Sequence, residues 1–249
     1  MKAMGRVIQR LGRCPSTNDA AKALAGEGAV EGTVLVAEEQ TAGRGTKGRS
    51  WFSPPKKGLY ASFILRPEKA CLPLLPLAAG LACADAVRES TGAEIGLKWP
   101  NDLVWKGKKL GGILCESSFS GDDLNYAVVG IGLNVNHDES DFPDSIRGTA
   151  TSLRLITPRE VDREDVLRVL CLTLGLWYEK LGGGSAEEIV DRFQERMIFA
   201  PGARLTLKTS EGDVIGTYRG IDPEGGLILE LNGRNRPFYS AEVLAAEFE

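Results

Sequence analysis

The spacing of apolar residues divides the chain into two textures. A short apolar start around Val7-Ile8 leads into PSTNDAAKALAGEG, residues 15–28, which predicts a capped helix. A side-chain oxygen of Ser16, Thr17 or Asn18 can accept from the free N–H groups of the first turn, and Gly26 or Gly28 stops it. The β-branched runs TVLVAEEQ (33–40) and LYASFILRP (59–67) predict strands. Leu74, Leu77, Ala78 and Leu81 recur at helical spacing, so a core-facing helix is expected from about Pro73 to Glu89. Strand signals return at IGLKW, KLGGILCES and NYAVVGIGLNVN, residues 95–99, 109–117 and 125–136. Asp138 to Arg147 is acidic, holds a proline and has no period, and reads as a surface excursion. Val166, Val169, Leu170, Leu174 and Trp177 mark a second long helix ended by the glycines at 182–184, and a third runs from Ala186 to about Met197.

Beyond Pro201-Gly202 the texture changes. ARLTLKT, VIGTYRGI, GLILELN and RPFYSAEV are short strand signals separated by EGD, DPEGG and NGRN turns. So many short strands in so few residues predict a small barrel appended to an α+β domain, with residues 1–198 forming the larger unit and 199–249 the smaller. Asp222 and Glu224 fall in one of its turns and read as turn chemistry.

Composition narrows the function classes. The chain has 249 residues, 43% hydrophobic and 26% charged, which is ordinary for a globular protein with a sizeable core. A net charge of -4 argues against broad nucleic-acid binding, which leaves a basic footprint over a whole domain. The five cysteines are odd in number, widely spaced and form no CxxC pair, so a reducing cytoplasm is expected, with neither a disulfide framework nor a zinc site. No run is read as apolar and long enough to span a bilayer, and no leader with a small-residue cleavage site opens the chain.

Against that negative whole, residues 41–57 carry Arg44, Lys47, Arg49, Lys56 and Lys57 without one acid, a local charge of +5. Glycines at 43, 45 and 48 let backbone approach a ligand and turn successive N–H groups toward an anion, and arginines can grip phosphate or carboxylate oxygens in pairs. The alternative is a solvated basic loop; Trp51 favours the ligand, since an aromatic beside such cations suits a nucleotide base. The order GxxxxGK[ST] is absent, and no GxGxxG opens a helix after a strand. With its glycines and mutually repelling cations, the loop is expected to be mobile until an anion orders it.

Lys98-Trp99-Pro100-Asn101-Asp102 forms a second cluster, readable either as a good turn or as a turn that fixes Asn101 and Asp102 for use. Lys109, just ahead of Gly111-Gly112 and an apolar strand, is a strand-end cation where backbone can approach closely. Asn134 and Asn136 share one strand face, where they cap a sheet end or meet a ligand. His137 is the single histidine and opens the acidic excursion, so nucleophilic catalysis through a Ser–His or Cys–His pair is set aside.

In this order along the chain stand STN at 16–18, Gln40 ahead of GRGTKGRSW, KWPND at 98–102, KLGGIL at 109–114, GIGLNVN at 130–136 and ATSL at 150–153. Dense between Ser16 and Leu153, this combination resembles the catalytic core of the biotin protein ligases, also called biotin–[acetyl-CoA-carboxylase] ligases. The texture after Pro201 is similar to that family's C-terminal domain. The resemblance implies a mixed β-sheet flanked by helices, of the kind shared with class II aminoacyl-tRNA synthetases, followed by an SH3-like barrel. It further implies an ATP-dependent ligase that activates biotin as biotinyl-5′-AMP, with magnesium on the ATP, and transfers it to a lysine of a biotin carboxyl carrier protein.

Carried over position by position, Ser16, Thr17, Asn18 and Gln40 would meet the neutral ureido ring of biotin. Gly43, Arg44, Gly45 and Thr46 would line the way to its carboxylate and the phosphates, with Gly112 and Lys109 also in the biotin set. Lys109 would be the principal catalytic cation, with Arg44 and Lys98 beside it. Arg49, Trp51, Asn101, Asp102 and Asn134 would serve ATP, and Asp102 in addition a magnesium ion or the incoming acceptor amine. Thr46 departs from the family, which commonly carries a second arginine there; faster release of the adenylate is expected unless Lys47 reaches in or the position works mainly through its backbone N–H. The ligase motifs begin within about twenty residues of Met1, so no DNA-binding domain is expected, and no membrane partner; a homodimer through an exposed sheet edge is left open. A lipoate–protein ligase and a non-catalytic biotin or nucleotide sensor are the competing readings; GRGTKGRSW and KWPND favour biotin, and the joint presence of Lys109 and Arg44 favours catalysis.

Overall fold

The computed structural model describes residues 2–247. A seven-stranded sheet is built from β1 (Ile8–Cys14), β2 (Val34–Gln40), β3 (Gly58–Leu65), β4 (Gly96–Lys98), β5 (Asp102–Trp105), β6 (Lys108–Ser120) and β7 (Asp123–Asn134), in the order β1-β2-β3-β7-β6-β5-β4. β1 runs parallel to β2, and every other neighbouring pair is antiparallel. α1 (Thr17–Gly26) lies on one face, while α2 (Leu75–Thr91), α5 (Arg163–Gly182) and α6 (Ala186–Glu195) cover the other; the short helices α3 (Asp144–Arg147) and α4 (Leu153–Ile156) lie in the connection after β7.

Period-two alternation explains why both faces are used. On β7, Ala127, Val129, Ile131 and Leu133 enter the large core with α2 and α5, while Val128 joins Ala21 and Ala25 of α1. The positions that follow Val128 on the α1 side are Gly130, Gly132 and Asn134, so that face opens into a hollow where the other carries bulk.

Several expectations need correction. β1 carries no readable alternation because it is an edge strand exposed along much of its length. β5 starts at Asp102 itself, so the PND turn feeds directly into a strand. The run Lys69–Thr91 is long and apolar enough by composition to cross a membrane, against the reading above. In this fold its helix is enclosed between the sheet and α5 and α6, which accounts for apolar residues all round. The stretch from 138 to 147 is no mere surface excursion: it contains a 3-10 turn and α3, and Phe142 is buried beside the cleft described below.

The carboxy-terminal strands β8 (Arg204–Thr209), β9 (Gly212–Ile221), β10 (Leu227–Leu231), β11 (Arg234–Phe238) and β12 (Glu242–Glu247) form a five-stranded antiparallel sheet in the order β11-β10-β9-β8-β12, which fits a small SH3-like barrel. RPFYSAEV supplies two of these strands, broken at Tyr239-Ser240. Buried Trp99 joins the two units by donating Nε1–H to Gly225 O (2.9 Å), and the Ile221 amide donates to Gln194 Oε1 (2.9 Å).

Candidate active site

The α1 face of β6 and β7 is the floor of a cleft of about 220 Å³. Two glycines make it flat. A Cβ at Gly130 would overlap the Asn18 amide, and one at Gly132 would stand 2.5 Å from Trp51 Nε1. Gly112 is paired with Gly132 across the strands, and a Cβ there would lie 3.5 Å from the Trp51 ring. GGIL and GIG are therefore the surface on which one amide and one indole rest, the close approach for which strand glycines are kept.

At the α1 end the wall is neutral and hydrogen-bonding. Ser16 caps α1 through its hydroxyl, which places Thr17 and Asn18 in the first turn, both buried. Thr17 donates its N–H and Oγ1–H to Gln40 Oε1 (2.8 and 3.0 Å), and Gln40 Nε2 donates to Ser53 Oγ (2.9 Å). Ser62 Oγ, fully buried beneath, lies 2.6 Å from Asn18 Oδ1 and 2.8 Å from Thr17 Oγ1. Asn18 Nδ2 donates to Leu114 O (3.2 Å) and Glu116 Oε2 (2.9 Å), which fixes the amide's orientation.

The basic stretch lies over this floor as a loop with its own internal hydrogen bonds. Arg44 bridges to Ser50, Thr46–Gly48 form a 3-10 turn, and the Trp51 amide donates to Gly43 O (2.8 Å). Its cations meet carboxylates from distant segments: Arg44 with Asp19 and Glu116 (both 2.7 Å), Arg49 with Glu242 (2.5 Å), and Lys57 with Asp141 (2.7 Å). The sequence reading counted the loop's own charges and could not see the acids that α1, β6 and the barrel bring to it.

Lys109 enters from the opposite side. Its backbone is pinned by the start of the ATSL segment and the residue before it, Lys109 N–H donating to Thr149 O (2.7 Å) and Thr151 N–H to Lys109 O (2.9 Å). Its ammonium lies 2.6 Å from Asp102 Oδ1 and 5.7 Å from the Trp51 ring centre. Burial pushes the Lys98 ammonium below the usual lysine range, with Asp102 and Glu242 opposing.

Ser16, Thr17, Asn18, Gln40, Arg44, Gly45, Thr46, Arg49, Trp51, Asn101, Lys109, Gly112 and Asn134 all line this cleft. Gly43 sits beneath the loop, where a Cβ would meet Trp51 O at 2.6 Å. Lys98 and Asp102 line an adjoining cavity of about 290 Å³ against the barrel, which shares Thr46, Arg49 and Asn101 with the cleft. Asn101 and Asn134 are tied to backbone, through Ile113 O (2.8 Å) and Thr151 O (3.0 Å). Asn136 is structural: its buried amide exchanges two hydrogen bonds with the Val161 backbone (2.8 and 2.9 Å). Sequence reading missed Phe52, Phe142 and Ile146, ordinary apolar residues that become cleft walls only through the fold.

Residues 11–134 match the model of the biotin/lipoate A/B protein ligase family, and residues 202–244 match that of the biotin protein ligase C terminal domain. The chain is 33% identical over 246 residues to the biotin–[acetyl-CoA-carboxylase] ligase of Mycobacterium tuberculosis, covering 96% of this chain and 89% of that one. It is 36% identical to the bifunctional ligase/repressor BirA of Bacillus subtilis, covering 92% of this chain and 70% of the relative. Among solved structures, the biotin protein ligase from Aquifex aeolicus in complex with biotin and ATP superposes with a TM-score of 0.83 at 32% identity, covering 98% of this chain and all of that one. With the fold matched and nearly the whole chain covered in this way, the chain belongs to the biotin/lipoate A/B protein ligase family and, within it, to the biotin protein ligases.

Proposed function

We propose that this cleft joins the biotin carboxylate to the α-phosphate of ATP and passes the biotinyl group to one lysine of a biotin carboxyl carrier protein. The observation that carries the reading is the cleft's polarity: neutral hydrogen-bonding groups at the α1 end, and Arg44, Arg49 and Lys109 where the loop meets the floor. A ureido ring is neutral and rich in donors and acceptors, so Ser16, Thr17, Asn18 and Gln40 suit it. The valeryl chain then runs past the edge of Trp51, whose indole rests on the glycine floor, toward Lys109.

In the first step a carboxylate oxygen attacks the α-phosphorus, the bond to the bridging oxygen breaks, and pyrophosphate leaves. Two anions must approach, and the electrostatic cost is offset by cations already held in position. Lys109 is so held, by Asp102, by Trp51 and by its own backbone. Lys98 adds charge from the adjoining cavity, where Arg49 and Asn101 receive the nucleotide; Asn134 and the aromatic walls bound its other side. In the second step the acceptor amine attacks the acyl carbon, gives up a proton and displaces AMP. Asp102, the carboxylate beside Lys109, would be the residue to meet a magnesium ion carried by the ATP phosphates, where that ion would offset phosphate charge.

The finer acceptor assignment rests on the relatives' names, which specify acetyl-CoA-carboxylase. Five unpaired cysteines support a reducing compartment, the cytoplasm. Lys109→Ala tests the mechanism: adenylation should fall about 10²- to 10³-fold, as for loss of a transition-state electrostatic group, while the Kd for biotin moves only a few-fold. Biotin binding lost in step with turnover would place Lys109 in substrate binding instead. A non-catalytic sensor would keep its response in this variant.

A further inference from the structure

Four charged side chains close a ring where α1, the basic loop and β6 meet; Arg44 lines the cleft, while Asp19, Lys22 and Glu116 stand behind its neutral wall. Arg44 Nη2 stands 2.7 Å from Asp19 Oδ1 and 2.7 Å from Glu116 Oε2. Lys22 Nζ stands 3.0 Å from the same Asp19 oxygen and 2.8 Å from Glu116 Oε1. Each cation touches both acids. The members come from α1, the basic loop and β6, segments far apart in sequence, so the ring ties three elements together. Its centre is not a loose surface pair: the Glu116 side chain is 23% exposed and also accepts from Asn18 Nδ2. Burial pushes the Glu116 carboxyl up, and the hydrogen bonds from Lys22, Asn18 and Arg44 outweigh it and hold it below the usual range.

Two consequences follow for the cleft. Arg44 shares its charge with two carboxylates through Nη2, while its Nε and Nη1 make no side-chain hydrogen bond to protein among the described residues. It can therefore anchor the loop and still present donors. Asn18, whose amide rests on Gly130, owes its orientation to Glu116 and Leu114 O on one side and Ser62 on the other.

We propose that Glu116 is a positioning residue for the ligase reaction: through Asn18 it sets the wall that meets the ureido ring, and through Arg44 it clasps the glycine-rich loop over that end of the cleft. The assignment of this end to biotin rests on the function proposed above. The clasp itself does not.

Glu116→Gln keeps the shape and an acceptor oxygen but removes the charge. In protein without added ligand, amide hydrogen exchange of residues 41–49 should quicken about tenfold, the effect of losing roughly 1.4 kcal/mol of local protection. The biotin KM in pyrophosphate exchange should rise about tenfold, with kcat and the ATP KM within about threefold, a split that general loosening of the fold does not produce. Adding Arg44→Gln should quicken loop exchange no further, since both changes open one clasp. Should Glu116→Gln fold poorly, Asp19→Asn removes the more exposed acid and should act in the same direction with a smaller effect. Unchanged exchange of residues 41–49, or fully additive effects in the double variant, would overturn the clasp. A wild-type protein silent in biotin-dependent pyrophosphate exchange would count against the ligase reading alone, because the hydrogen-exchange result needs no ligand.

Discussion

Lys109 shows how one side chain is made ready. Backbone bonds to Thr149 and Thr151, the Asp102 carboxylate and the Trp51 ring hold it from separate directions, which under the proposed role leaves little reorganisation for it to undergo on meeting anions. Thr46 is the contrasting case. Its hydroxyl takes a long bond from Arg49 Nη2 (3.3 Å), and Lys47 directs its ammonium toward Lys208 O of the barrel and does not line the cleft. Lys47 instead lines the adjoining cavity, and Thr46→Arg, which returns a cation to the cleft itself, should slow release of biotinyl-5′-AMP about tenfold, the worth of one charge-assisted hydrogen bond. Rapid-quench measurement of adenylate dissociation checks this, and equal rates would remove the idea. His137 offers a pH test. Its ring is fully buried, stacks on Phe142 at 4.9 Å, and finds no partner for either nitrogen among the described residues. Burial pushes its pKa down to about 4 from 6.5, with Asp141 opposing. The unfolded chain therefore binds more protons between those values, and stability must fall as pH drops from 6.5 toward 4, by about 3 kcal/mol from this group. Chemical denaturation of wild type and His137→Leu across that window should show a loss larger in the wild type by about that amount, over the loss that depressed carboxyls such as Glu116 cause in both. Sequence reading placed the motif residues in the cleft because polar groups among glycines are conspicuous; it passed over Glu116, Asp19 and Phe142, whose partners lie in other segments.

At the scale of elements, the site is a property of β6 and β7. Their alternation sends bulk to the α2 side and leaves Gly112, Gly130 and Gly132 beneath the loop. Gly132→Ala is the cleanest probe: its Cβ would press on Trp51 Nε1, forcing the indole off the floor. An overpacking cost of about 1–3 kcal/mol is expected, with increased solvent quenching of Trp51 fluorescence and a raised KM for biotin. Unaltered fluorescence and stability would show that the indole does not rest there. The helices and central strands were legible because each carries a strong period or a β-branched run. β1 and β5 were not: one is a solvated edge strand, and the other a four-residue strand that starts inside a turn signal. The excursion after His137 was misread because charge at its surface hid Phe142, which faces inward.

Across the whole molecule, the two units share a boundary that bears on the chemistry. We infer division near residue 198, supported by the match of 202–244 to a separate C-terminal domain and by the independent five-stranded sheet. Trp99 and Pro100 of the KWPND turn, Arg49 of the loop and Glu242 of β12 meet in the cavity between them, so the barrel touches Arg49, a cation proposed above to receive the nucleotide. The fold class was legible from the change in texture; this junction was not, since nothing in a linear sequence pairs Arg49 with Glu242. The central claim is that one cleft binds biotin and ATP side by side and joins them. Magnesium-dependent exchange of labelled pyrophosphate into ATP, measured with biotin, with lipoate and with neither acid, tests it most directly. Exchange driven by biotin alone is the predicted result. Exchange driven by lipoate, or none with either acid despite measurable biotin binding, would contradict it.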